Sequence, residues 1–117
     1  MANFVELINI RTAKSLGKEI TIASTFRERF VGLLGRSGIS HGQGLLIERC
    51  NQVHMLFMRF EIGILFLASD MRIVGIQSSL KPWQVSSRVA DAAAVLELPV
   101  GVVESADCQI GDRLIIC

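Results

Sequence analysis

Apolar residues along this chain occur mainly in short runs, several of which alternate with polar positions. Ile20 and Ile22, for example, alternate with polar neighbours, which is typical of a half-buried strand. The runs are rich in Ile, Val and Leu and lie between turn-forming residues, and this arrangement favours β-strands. We predict strands at residues 4–10, 19–23, from 45 to 47, 53–58, 62–68, 73–76, 95–98 and 113–116.

One segment has a helical period. The apolar residues of TFRERFVGLLGR recur at intervals of three and four residues, which places them on one face of a helix. Thr25 and Glu28 form a capping box at its start, and Gly35 and Gly38 indicate its end. We therefore predict one short helix over about residues 25–35, packed onto a sheet.

The remaining segments set the fold class. Residues 64–68 are apolar at every position, which is typical of a strand covered on both faces. Residues 14–18 are predicted to form a turn, residues 78–87 an irregular segment, and Gly111 and Asp112 a turn and nothing more. The chain is thus predicted to be mainly β: an antiparallel β-sandwich or distorted barrel with one short α-helix.

The length, net charge and cysteine content of the chain argue against several classes of protein. At 117 residues and a net charge of +1, the chain is expected to be a single domain without the basic stripe of a nucleic-acid binder. It has no leader pattern and no uninterrupted apolar run of about 18 residues, so we expect a cytoplasmic protein without a membrane partner. We expect a monomer or weak homodimer with free thiols, since the three cysteines lack a disulfide-framework spacing.

Five segments follow one another in an order that resembles the domain-of-unknown-function 192 family of small bacterial and archaeal proteins. They are TFRERFVGLLGR, VHMLFMRFEIGILFL, KPW, AVLELPVG and IGDRL, and the resemblance covers about residues 20–116. It implies a β-rich single domain with a short helix near the start, and it supplies no established reaction, substrate or cofactor. The family usually has an Asp where this chain has Gly63, so a mechanism that relies on that Asp is not expected here.

Two arginines of the predicted helix form the first candidate ligand site. Arg29 and Arg36 are seven residues apart, so they lie on one side of a helix, separated by about 10 Å along its axis. With Gly32 between them, they are suited to bind a carboxylate, phosphate or sulfate through forked hydrogen bonds. In the structural alternative, both stems cover the edge of the core and pair with Asp or Glu.

The apolar stretch 53–76 contains His54 and Arg59 near its start. Polar groups in such a stretch have to be satisfied or used, and either side chain could line a pocket at a strand end. His54 could also carry a proton near neutral pH, or it could be a hydrogen-bonded core residue. Cys50 and His54 have C-x3-H spacing, but His41 and the other cysteines add no second ligand pair, so we expect neither a metal nor a cofactor.

Two further residues have both a functional and a structural interpretation. Glu97 lies between two leucines, where alternation places it in solvent or makes it a partly buried ion-pair partner of Arg59 or Arg29; the ion pair is the favoured interpretation. A catalytic role for Glu97 needs a second acid or base nearby. Trp83 either anchors a sugar ring or a partner protein, or covers one end of the core.

Three functional hypotheses follow. The first is a non-enzymatic binding module for a small anion, a saccharide or an acidic peptide. The second is a small hydrolase- or lyase-like enzyme that uses His54 with Glu97, and the third is an accessory protein that docks onto a larger assembly through a patch around Trp83 and a sheet edge. The candidate ligand-binding residues are Arg29, Arg36, His54, Arg59, Trp83 and Glu97.

Overall fold

The structure, a computed structural model, describes residues 4–24, 38–53 and 59–117. Within them the predicted mainly β fold is confirmed. The predicted helix over residues 25–35 lies outside the described residues, as does most of the predicted strand over residues 53–58. The described strands are β1 (Phe4–Asn9), β2 (Lys14–Ala23), β3 (Gln43–Glu48), β4 (Ile62–Leu67), β5 (Ile73–Leu80), β6 (Ala94–Pro99) and β7 (Leu114–Ile116), and the described helix is α1 (Val102–Ser105).

Two strands are longer than the apolar pattern predicts. β2 begins at Lys14, so residues 14–18 belong to a strand, and the turn that precedes it lies at residues 10–13. β5 continues to Leu80, three residues into the segment expected to be irregular. Both extensions contain exposed polar residues, which hydrogen-bond in the sheet without contributing to the apolar pattern.

The seven strands form one mixed sheet in the order β5-β4-β6-β3-β2-β1-β7. Neighbours are antiparallel except for β2 and β3, which are parallel, so the expectation of a purely antiparallel sheet is wrong at this pair. Residues 24–42, which connect the two strands, are long enough for the crossover that a parallel pair requires. The edge strands approach each other at an isolated bridge between Arg72 and Arg113, and the sheet is an incompletely closed, distorted barrel.

Alternation along the strands separates two apolar clusters. The inner cluster receives side chains from all seven strands and α1, including Leu65 and Leu96. The outer cluster, on the opposite face, includes Leu45, Ile64 and Val95. β4 and β6 are buried along their whole length because both faces are covered, as predicted for the run that begins at Ile64. Among the described residues, no helix is long and apolar enough to cross a membrane.

Candidate functional site

Three of the six predicted site residues lie outside the part of the chain that the structure describes. These are Arg29 and Arg36 of the predicted helix, and His54, which directly follows Val53. The structure describes the other three, Arg59, Trp83 and Glu97, and all of them belong to the region around β4, β5 and β6.

The sheet register brings Arg59 and Trp83 to one end of the sheet. Ile62, the first residue of β4, pairs with Leu80 at the end of β5 and with Pro99 at the end of β6. Arg59 precedes Ile62 by three residues, and Trp83 follows Leu80 by three residues. Both therefore lie within about 11 Å, along the chain, of adjacent strand ends.

A side-chain hydrogen bond holds these two segments beside each other. The Ser79 hydroxyl donates to the Glu61 carboxylate. Glu61 follows Arg59 by two residues, and Ser79 precedes Lys81 by two residues, so the bond fixes the chain close to both cations. Arg59 and Lys81 are exposed, and neither forms an ion pair with another described residue.

Trp83 occupies the third position of a β-turn. The Gln84 N–H donates to the Lys81 carbonyl at 3.1 Å, and the Lys81 N–H donates to the Gln84 side-chain oxygen at 2.8 Å. Pro82 at the second position and a φ of 69° at Trp83 are typical of a type II turn, whose third position usually holds glycine. We call Arg59, Lys81, Trp83 and Val85 the turn-end surface.

The two apolar members of the turn-end surface lie largely in solvent. Trp83 is 59% exposed and Val85 is 56% exposed. More than half of the Trp83 surface is thus accessible from solvent, which is more than expected of a side chain that covers one end of the core. The backbone of the next residue, Ser86, donates to the Val53 carbonyl at 2.7 Å, which joins the turn-end surface to the residue that precedes His54.

Glu97 is buried on the outer face of the sheet. It lies between Leu45 of β3 and Ile64 of β4 and is only 5% exposed, so a position in solvent is excluded. The Glu97 carboxyl forms no ion pair or side-chain hydrogen bond with a described residue, so the predicted pair with Arg59 is wrong; the alternative partner, Arg29, lies outside the described residues. Because burial among apolar side chains disfavours the charged form, the pKa of Glu97 is raised to about 7.

Gly63 occupies a space that admits little more than its hydrogen atoms. It is buried in β4, and a Cβ added there would lie 3.2 Å from the carbonyl oxygen of Ser78 and 3.5 Å from Cγ2 of Val103. Any other residue at this position would require the Ser78 backbone to move by a few tenths of an ångström. The local packing of this chain is therefore adapted to glycine.

Two clefts are formed by described residues, and they lie apart from the three predicted site residues that the structure describes. Within residues 4–24, 38–53 and 59–117, no three His, Cys, Asp or Glu side chains are placed to hold a metal ion. The described residues line a cleft of about 400 Å³ beside Cys50 and another of about 320 Å³ beside Lys18, and neither is lined by Arg59, Trp83 or Glu97. Cys50 is half-buried and packs against the outer cluster.

Sequence reasoning missed a polar network around Asp112, which was expected to serve only a turn. Asp112 is 7% exposed and accepts hydrogen bonds from Asn9, Arg11 and the backbone of Gln109 at 3.0, 2.7 and 2.9 Å. The Arg11 guanidinium, aided by the other two donors, lowers the pKa of Asp112 to about 2. Arg11 and Asp112 are 101 residues apart, so no local spacing signals the contact.

Two solved structures share this fold. A protein of Sinorhizobium meliloti, titled a putative transcription regulator, is 27% identical with a TM-score of 0.80 over 96% of this chain and 91% of that one. A protein of unknown function from Novosphingobium aromaticivorans is 20% identical, with a TM-score of 0.81 over 95% of this chain and 82% of that one. The second likeness concerns the fold alone.

Relatives of this chain occur in archaea. A UPF0127 protein of Pyrococcus furiosus is 33% identical, and the match covers 92% of this chain and 95% of that protein. A UPF0127 protein of Thermococcus sibiricus is 30% identical over 92% of this chain and 72% of that protein. The model of the DUF192 family, described as "Uncharacterized ACR", matches residues 8–116. The chain therefore belongs to the DUF192 family.

Proposed function

We propose that this protein is a non-enzymatic binding module that recognises an acidic peptide segment of a partner protein through the turn-end surface. The observation that carries the proposal is the exposed indole of Trp83 in a backbone conformation with positive φ. That conformation costs a non-glycine residue about 1–2 kcal/mol. A large apolar side chain held in solvent at this cost is typical of a recognition site.

The exposed cations of the turn-end surface favour an acidic ligand. Arg59 and Lys81 contribute two exposed cations that form no ion pair with a described residue, and Glu61 is already bonded to Ser79. Carboxylates of a partner would complement the two cations, while Trp83 and Val85 would bury apolar side chains beside them. Among the three ligand classes predicted from the sequence, an acidic peptide suits an open surface better than a small anion or a saccharide does.

The fluorescence of the protein provides a direct test, because Trp83 is its only tryptophan and it has no tyrosine. The probes are short acetylated peptides that carry Asp and Glu around one apolar residue, with Lys-containing peptides of matched length as controls. We expect acidic peptides alone to shift the Trp83 emission, and the affinity to fall as salt is added.

Variants that each remove one cation show whether the peptide binds at the turn-end surface. Arg59→Ala and Lys81→Ala should each weaken acidic-peptide binding about three- to tenfold. The matched control is Lys14→Ala, which removes an exposed lysine of β2, four strands away from β5 in the sheet order. Binding that is insensitive to salt and equal in all three variants would contradict the proposal.

A specific observation also favours the enzymatic alternative. A buried carboxyl with a pKa of about 7 is suited to exchange protons near neutral pH, as a hydrolase or lyase acid–base group does. Its proposed partner, His54, lies outside the described residues. Chromogenic ester and glycoside substrates would test this function: a rate profile with an inflection near pH 7 that Glu97→Gln abolishes supports it, and equal rates in both proteins contradict it.

The accessory hypothesis uses the same surface. If the acidic segment belongs to a subunit of a larger assembly, the protein would dock onto that assembly through Trp83. The S. meliloti relative carries a regulatory title. A net charge of +1 gives this chain little attraction for nucleic acid, so a role in regulation would proceed through contact with another protein.

A further inference from the structure

A concave site separate from the turn-end surface lies where β2 passes the loop that precedes β3. Described residues line an open cleft of about 320 Å³ there, which we call the bulge cleft. Leu16 and Val102 lie at its floor, and both are only 2% exposed. A cleft of this volume, with apolar residues at its base and polar groups around it, is typical of a site for a small molecule.

Two glycines bring the backbone close together at the wall of the bulge cleft. A Cβ on Gly17 would lie only 2.6 Å from the carbonyl oxygen of Gly42, so no other residue fits at position 17 without movement of the backbone. That carbonyl accepts a hydrogen bond from the Glu19 N–H at 2.9 Å. The wall is therefore fixed by main-chain contacts.

A register shift in β2 places two consecutive charged residues beside the same cleft. Val5 pairs with Ile20, but Leu7 pairs with Gly17, so β2 has one more residue than β1 across this step. The extra residue leaves Lys18 and Glu19 opposite the single Glu6. In a regular strand neighbouring side chains lie on opposite faces, whereas at this irregularity both residues line the bulge cleft.

The rim thus presents both signs of charge at once. Lys18, Glu19 and His41 are exposed, and none of them forms an ion pair or a side-chain hydrogen bond with a described residue. Ser15 and Ser105 also line the cleft, and their hydroxyls already bond locally, to the Gly17 N–H and the Val102 carbonyl. One cation beside one anion does not favour a simple anion or a simple cation, but it complements a ligand that carries both charges.

We infer that the bulge cleft binds a small zwitterion of the α-amino-acid type. Lys18 and His41 contact the ligand carboxylate, and Glu19 contacts the ligand ammonium group, above the base of the cleft at Leu16 and Val102. This site shares no residue with the turn-end surface. It is therefore independent of the proposed peptide binding, and each can be lost by mutation without the other.

The test is a titration of the ¹⁵N-labelled protein with each of the common amino acids, raised to about 10 mM so that millimolar affinities are visible. We expect at least one amino acid to shift the amide signals of Lys18, Glu19 and Gly42 saturably. Acetate alone and methylamine alone should bind at least about tenfold more weakly, since each engages only one of the two charges.

Variants that each remove one charge show whether the amino acid binds in the bulge cleft. Lys18→Met and Glu19→Gln should each weaken binding about tenfold, while Lys14→Met, a lysine on the same strand outside the cleft, should leave the affinity within about twofold. Circular dichroism confirms that each variant is folded. Saturation by none of the amino acids, equal affinity for acetate, or equal affinity in all three variants would overturn the inference.

Discussion

Arg11, which follows β1, forms a bidentate ion pair with Asp112, which precedes β7. Arg11 Nε lies 2.7 Å from Oδ1 of Asp112, and Nη2 lies 3.1 Å from Oδ2. The backbone carbonyl of Asp112 also accepts a hydrogen bond from Ile73, the first residue of β5, at 2.7 Å. Asp112 therefore connects the segment that follows β1 to the opposite edge of the sheet, where the barrel comes closest to closing.

Replacement of Asp112 by Ala should lower the free energy of unfolding. It leaves the donors of Asn9, Arg11 and Gln109 without their acceptor, and such a loss costs about 1–3 kcal/mol. Denaturant unfolding measures the effect. The control is Asp107→Asn, which removes the charge of a longer and more exposed ion pair to Arg11, keeps a residue type that tolerates the φ of 51° at this position, and should cost clearly less. Equal losses in the two variants would contradict a specific role for Asp112.

The same carboxylate should give the protein an acid-dependent component of stability. The pKa of Asp112 is lowered from 3.8 to about 2 in the folded state, so the unfolded chain binds the proton more readily. The stabilisation is present above about pH 4 and is lost as the pH falls towards 2. We expect the stability of wild type to decrease more steeply over this range than that of Asp112→Asn. Parallel pH profiles would show that the ion pair does not stabilise the fold.

Glu97 should act in the opposite direction. Its pKa is raised from 4.5 to about 7 in the folded state, so the folded protein binds the proton more tightly than the unfolded chain does. The contribution of protonated Glu97 to the stability of the fold is fully present below about pH 4.5 and is lost as the pH rises through 7. As the pH is raised from 4 to 8, the free energy of unfolding of Glu97→Gln should increase by about 3 kcal/mol relative to that of wild type. A constant difference between the two proteins across this range would mean that Glu97 is not desolvated.

Trp83 offers a separate test of stored backbone strain. Trp83→Gly and Trp83→Ala both remove the indole, but only glycine adopts a φ of 69° without cost. The Gly variant should therefore be more stable than the Ala variant by about 1 kcal/mol. Thermal and denaturant unfolding of the two variants measure this difference. A more stable Ala variant would contradict the type II turn at this position.

Local patterns predicted most of the strands because each strand buries its own apolar run. The core of β4 and the end of β6 at Pro99 follow directly from that rule. The beginning of β2 and the end of β5 were missed, since exposed polar residues there are fixed by neighbouring strands. The parallel pairing of β2 with β3 depends on a crossover, and nothing in either strand's own sequence distinguishes it from an antiparallel pairing.

The predicted site depended on contacts that sequence spacing does not define. Alternation correctly separates Glu97 from Leu96 and Leu98, but it does not reveal that the outer face of the sheet is itself covered. The ion pair of Arg11 with Asp112 joins the two ends of the chain, and the shared cleft of Lys18 and Glu19 arises from an extra residue in β2. Each of these features follows from how strands pair.

The most direct test of the proposed function is an NMR titration of the ¹⁵N-labelled protein with the acidic peptide that shifts Trp83 fluorescence most. We predict that the largest chemical-shift changes include the Trp83 indole N–H and cluster in residues 59–61 and 79–86, which the Glu61–Ser79 hydrogen bond holds together. Saturable changes that centre elsewhere, with the Trp83 indole signal unmoved, would contradict recognition through the turn-end surface.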